Sequence, residues 1–279
     1  MKDGYQALIE LFREWRAFER PPLRDGAPDY TATTFERRHG ELAELQARLR
    51  GIDPASWPIA QQVDYRLVLA EMNWLDFYIR VLKPWTRDPA FYKSVYVEQS
   101  DTPAHEGPTH HAAIELWTYS FPLDASSEAR LAAELRGIPP LLAQARGNLT
   151  GDARDLWTTG TGTMRQQTKD LEDLDGRVPK AGPELKRANR AGIAATNEFA
   201  DWLDQQAPSR NGPSGIGKEN YTWSLRNVHL VPMAWEEEVA LLERELARAH
   251  ASLRLEEHRN RALPPLPVVA DADQYRRRA

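Results

Sequence analysis

With 279 residues, 41% hydrophobic and 28% charged, the chain can bury a sizeable core, as one large domain or two smaller ones, and its composition excludes a disordered protein. A net charge of −5 with both signs interspersed argues against a nucleic-acid binder, which would carry a basic stripe. The absence of cysteine rules out disulfides, thiolate metal sites and a cysteine nucleophile.

In chain order, residues 3–19 pattern as an amphipathic helix with Tyr5, Leu8, Phe12 and Trp15 on one stripe and Ile9 widening it. Arg20-Pro21-Pro22 ends it. A second helix is expected from about Thr34 to Arg50, carrying Phe35, Leu42, Leu45 and Leu49, with Gly51 as its stop. Ser56-Trp57-Pro58 reads as a helix start. The stretch after it, to about Leu82, is apolar on most sides and predicts a buried central helix that Lys83-Pro84-Trp85 ends.

Prolines at 84, 89, 103, 108 and 122 forbid a long helix across 84–127. Within that segment Val95-Tyr96-Val97 suits a short extended piece, and His111 to Tyr119 a helical turn or two. Ser126 or Ser127 caps a helix through Leu135, and Pro139-Pro140 opens another through Leu149. Asp152 to Leu174 reads as helix, interrupted or strained at Gly160 and Gly162, whose small size suits a tight interhelical contact. Pro183 begins a helix to about Gln206, with Leu185, Ala188, Ala195, Phe199 and Leu203 facing a core.

The glycines of Gly215-Ile216-Gly217-Lys218-Glu219-Asn220-Tyr221 turn the chain into a helix bearing Tyr221 and Leu225. The longest helix follows, with Val239, Leu242, Leu246, Ala249 and Leu253 on one stripe, Glu236, Glu237 and Glu238 in its first turn and Arg259 and Arg261 at its end. Burying each leucine of that stripe is worth about 1.5–3 kcal/mol, against a few tenths for a surface ion pair, so the stripe calls for a partner surface. The expectation is an all-α, multi-helix bundle with long antiparallel helices and one Pro-rich irregular segment. It is read as one helical domain over 1–279, with N-terminal helices at 1–83, an irregular connection at 84–127 and a helical remainder at 128–262.

Three pieces of the sequence could carry chemistry. His105-Glu106-Gly107-Pro108-Thr109-His110-His111 places three histidines beside an acid, which makes His105, Glu106, His110 and His111 candidate metal ligands. It is not a zincin motif, since Gly107-Pro108 would break the helix that such a motif needs; a solvated loop is the plainer reading. The run Thr158 to Thr163 and the Gly215–Glu219 turn both look like phosphate loops, but neither follows a predicted strand. Lys218 and Tyr221 are the residues at that turn that could meet a substrate. Trp85, Trp117 and Trp157 could line a pocket, although bundles bury such residues routinely. Ser214 has no strand before it and no nucleophile-elbow motif around it.

Trp85-Thr86-Arg87-Asp88-Pro89-Ala90-Phe91-Tyr92, then Arg130 to Leu149, then Gly215 to Tyr221 and the Glu-rich helix beyond, resemble in order and spacing the N-terminal half of the bacterial family called domain of unknown function 885. The resemblance covers most of residues 1–270. It implies an all-helical protein related to gluzincin-type zinc metallopeptidases, whose H-E-x-x-H zinc motif lies in a C-terminal half. No H-E-x-x-H occurs in this chain, so zinc, implied for the full-length family, is carried onto no residue here. The His105–His111 loop matches no motif of the family.

Two expectations of different class follow. In one, the chain walls one side of a peptide-substrate cleft and packs on a missing C-terminal half. In the other it is a stand-alone helical module whose stripe binds a partner helix surface without catalysis, with a metal site at the histidine loop as a variant. No run of some 18 apolar residues is present to span a membrane. The charged N-terminus lacks the apolar core of a signal peptide, so the chain as written is expected in the cytoplasm, although a trimmed secreted form would look the same.

Overall fold

The computed structural model describes residues 4–99, 111–264 and 268–278. The protein is all-α, with two minimal two-stranded pairings among the described residues. The chain divides into two compact units, Met1–Leu230 and Val231–Ala279.

The first unit begins with α1 (Gly4–Glu19), α2 (Ala32–Arg50) and α3 (Ile59–Phe77). Helix α1 buries Leu8, Leu11 and Trp15, whereas Phe12, expected on the core stripe, is exposed. Between α1 and α2, β1 (Leu23–Arg24) and β2 (Ala27–Pro28) pair antiparallel around Asp25 and Gly26, both at positive φ. The Arg38 side chain of α2 is buried and turns back to the end of α1. It donates to the Phe18, Glu19 and Arg20 carbonyls at 2.8, 2.9 and 3.1 Å, satisfying acceptors that a helix C-terminus leaves open.

Helix α3 departs from the sequence expectation at both ends. Ser56 does not cap it; Pro58 holds the N-cap position without a side-chain hydrogen bond. Its first half is not buried, since Ile59, Val63 and Leu67 lie on one exposed i, i+4 row, while Val68, Met72 and Leu75 are inside. Lack of a polar face shows what a helix could bury, not that a neighbour is there to cover it. At the far end the ladder widens into a π-helical turn, Tyr78–Leu82, with Lys83 N–H bonded to the Tyr78 carbonyl at 2.9 Å. Lys83 then takes φ 44° and the chain enters the short α4 (Pro84–Arg87).

The Pro-rich segment holds a 3₁₀ turn (Pro89–Tyr92) and β3 (Val95–Tyr96), which pairs parallel with β4 (Ile114–Glu115). The helix suggested from His111 is therefore a strand followed by a 3₁₀ turn, Leu116–Thr118. One buried side chain secures the segment: Gln167 Oε1 accepts from the backbone N–H groups of Ser94 (2.6 Å) and Val95 (3.1 Å), and its Nε2 donates to Thr196 Oγ1 (3.2 Å).

Helices α5 (Ala125–Leu135), α6 (Ile138–Asn148), α7 (Arg154–Arg177) and α8 (Pro183–Gln206) complete the core. Helix α5 is capped by Asp124, which accepts from Ser127 N–H at 2.7 Å, so Ser127 is donor rather than cap. Helix α8 packs on α5, α6 and α7 through Leu185, Ala188, Phe199 and Leu203. Bonds pairing Gln167 with Thr196, Thr168 with Asn197, and Leu171 with Asn189 run α7 antiparallel to α8. Helix α7 is continuous through its glycines. A Cβ on Gly160 would lie 2.7 Å from Pro89 Cβ and 2.9 Å from Ala90 N, so glycine there is a close-approach residue, while Gly162 faces open space. A 3₁₀ turn (Ala207–Ser209) leads to α9 (Lys218–Asn227), which lies on α3 with Trp223 stacked on Phe77 at 5.5 Å and Asn73 bonded to the Asn227 carbonyl.

In the second unit α10 (Trp235–Arg259) runs 25 residues and α11 (Ala272–Arg278) follows. Helix α10 has no buried residue. Its start is held by Ala234 N–H donating to Glu237 Oε2 at 2.7 Å, with Glu236 and Glu238 beside it, the charge order favoured at a helix N-terminus.

Candidate functional site

The Gly215–Tyr221 turn is built on a clamp. Arg87, on α4, donates from one guanidinium nitrogen to the carbonyls of Ser214 (2.7 Å) and Pro213 (2.9 Å). From the start of α7, Arg154 N–H donates to the Gly212 carbonyl (3.1 Å) and Asp155 N–H to Ser214 Oγ (2.9 Å). Ser214 thus serves as a bracing acceptor. Gly217, at φ 84°, makes the bend that only glycine adopts without strain, and α9 starts at the next residue. Asn220 Nδ2 closes the turn on the Ile216 carbonyl at 2.8 Å. Lys218 and Tyr221, three apart on the first turn of α9, are neighbours on its surface and both are exposed. What precedes the turn is a 3₁₀ helix and loop, not the strand of a phosphate loop.

A groove of about 610 Å³ opens between α1, α3 and the chain after α9. Its walls are Leu8, Ile9 and Phe12 from α1, Leu67, Val68 and Trp74 from α3, and Val228 and Leu230 beyond α9. Polar groups enter from Tyr5, Asp64, Glu71 and His229. The Tyr5 hydroxyl donates to Asp64 Oδ2 at 2.6 Å, and that bond raises the tyrosine pKa. Leu230 ends the groove in a left-handed conformation, φ 56°.

The histidine cluster divides. His105, Glu106 and His110 lie outside the described residues, while His111 precedes β4 with its N–H donated to the Tyr30 hydroxyl at 2.9 Å. Partial desolvation, and then the guanidiniums of Arg38, Arg20 and Arg16, lower the His111 pKa. Burial raises the pKa of the Tyr30 phenol that receives this bond. The three tryptophans do not share a pocket: Trp85 and Trp157 are in the core, Trp85 stacked on Phe35 at 3.6 Å, and Trp117 is exposed.

Residues 17–260 match the profile of a bacterial family described as protein of unknown function, DUF885. The chain belongs to this family. Among curated proteins there is no match. A solved structure, described as a candidate lipoprotein of unknown function from Shewanella oneidensis, superimposes with a TM-score of 0.62 at 17% identity over 97% of this chain. The chain spans about half, 50%, of that protein's length. At that identity the likeness concerns the fold.

In the DUF885 chain Lys218 and Tyr221 lie on the first turn of α9, next to the turn that Arg87 and the start of α7 clamp. Zinc, which the family resemblance implies, finds no fitting set: among the described residues no three His, Cys, Asp or Glu side chains converge. Nor is any described helix long and apolar enough to cross a membrane. Sequence reasoning missed the groove. Its signal was Asp64, Leu67, Val68 and Glu71, which recur at i, i+3, i+4 and i+7 and so form one face with an acid at each end.

Proposed function

We propose that this DUF885 chain is the N-terminal helical portion of a larger two-part protein, and that α10 docks it onto the other part. The observation that carries the proposal is α10 itself. Leu242, Leu246 and Leu253 are 60%, 59% and 55% exposed along a helix about 37 Å long. Covering three leucines is worth several kcal/mol at about 1.5–3 kcal/mol each. Coverage of only half the length of the solved relative supports the same reading.

The seam has the form of a coiled-coil stripe. Val239, Leu246 and Leu253 repeat every seven residues, with Leu242 and Ala249 between them. Positions beside the seam are acidic at Glu238, Glu243, Glu245 and Glu257, so two copies would set like charges together. A partner surface with basic flanks suits the seam better than a second copy.

In this reading the clamped turn presents Lys218 and Tyr221 to a substrate cleft between the two parts. Peptide hydrolysis, with the zinc ligands supplied wholly by the other part, is the activity that the gluzincin resemblance implies for the whole. The location is the cytoplasm. Recovery of the chain with the cell envelope on fractionation, as the lipoprotein description of the solved relative would have it, would overturn that part of the proposal.

The test is to translate the DNA beyond the codon for Ala279 and the adjoining frames, then co-express this chain with any H-E-x-x-H segment found. A complex that is lost in Leu242→Glu/Leu246→Glu is the expected result. A stable chain that binds no such segment, with an unrelated gene downstream, would favour the stand-alone interaction module instead.

A further inference from the structure

We propose that the groove between α1 and α3 binds a small cationic amphiphile, an amine carried on an aromatic or aliphatic body. This assignment is independent of the docking role of α10.

Size and lining come first. About 610 Å³ lies within the range of small-molecule sites, which are mostly apolar with a few placed polar groups. The walls from Leu8, Ile9, Leu67, Val68 and Leu230 would take the hydrocarbon body. Charge decides the head group. Asp64 and Glu71 are the acids of the lining, His229 also borders it, and among the described residues no lysine or arginine contributes to it. They sit seven residues apart on one face of α3, two turns of helix, with Leu67 and Val68 between them.

The Tyr5 hydroxyl orients Asp64 through its 2.6 Å bond. Tyr5, Phe12 and Trp74 add aromatic rings to the lining, and an aromatic ring attracts a cation placed over its face. A competing cation is close by: Arg16 reaches Glu71 at 3.7 Å, with both side chains well exposed. An ion pair of that kind contributes little, so a ligand ammonium can displace it. An anionic amphiphile would meet two carboxylates with no compensating lysine or arginine among the described residues of the lining.

Calorimetric titration of the whole chain with 4-phenylbutylamine and with 4-phenylbutyric acid tests the assignment. The amine should bind saturably at one site, with the acid weaker by about tenfold or more. Asp64→Asn/Glu71→Gln should cost the amine a similar factor. Should that double variant fold poorly, Leu67→Arg, at an exposed position, places a fixed cation in the groove and should also abolish amine binding. Equal affinity for the two probes, no saturable amine binding, or binding untouched by Leu67→Arg would overturn the proposal. So would a dimer that Leu67→Arg dissociates, since the groove would then belong to a second copy.

Discussion

Gly160 and Gly162 are two residues apart in α7 and look alike in sequence, yet opposite outcomes are expected when each is given a side chain. Gly160→Ala pushes a Cβ into Pro89 and Ala90, and overpacking of this kind costs about 1–3 kcal/mol. Gly162→Ala meets nothing within 4 Å and gains helix propensity, so it should stabilise by up to about 1 kcal/mol. Urea denaturation of the two variants gives both signs. Asp29 offers a pH-dependent counterpart. Despite partial desolvation, which raises it, its pKa is lowered below 3.8 by the bonds it accepts from Thr31 N–H (3.0 Å) and Thr34 Oγ1 (2.8 Å) at the start of α2. A lowered carboxyl contributes stability above its unfolded pKa and loses it as pH falls through the folded value. Asp29→Ala should therefore cost about 1 kcal/mol at pH 7. The difference from the parent chain should hold to pH 5 and shrink below about pH 3.8 in urea titrations.

At the scale of elements, most helices were legible because each has its own signal. Pro139-Pro140 and Pro183 open α6 and α8, Arg20-Pro21-Pro22 follows α1, and the stripe of Leu42, Leu45 and Leu49 is buried in α2 as its spacing predicts. What was not legible depends on neighbours. The exposed row of Ile59, Val63 and Leu67 has the same composition as a buried one, and the turn after Tyr78 is wide because of a hydrogen-bond choice that no residue type announces. The cap of α5 moved from serine to Asp124 because either residue can cap and the backbone selected the earlier one. The site followed the same division. The bend at Gly217 was visible as a glycine, but the Arg87 clamp joins residues more than a hundred positions apart and has no local trace. Exposure makes a further prediction for α10. Leu242→Ala or Leu246→Ala should change stability by less than about 0.5 kcal/mol, whereas Leu131→Ala, in the core, should cost about 2–5 kcal/mol by thermal or urea melting.

For the whole molecule, the structure combines a first unit with a full core and a second whose long helix has an apolar seam exposed. Burial in the first unit accounts for folding: Leu131, Leu135, Ile138, Leu141 and Phe199 are all enclosed among α5, α6, α7 and α8. The leucines of α10 contribute little of that kind, and the proposed docking role is the use this account gives them. Hydrogen exchange across the chain, at a concentration that keeps it monomeric, tests this directly. Amides of residues 235–259 should exchange far faster than those of α7 and α8 in the chain alone, and should slow once the other part is bound. Protection of α10 equal to that of α8 in the isolated chain would contradict the account.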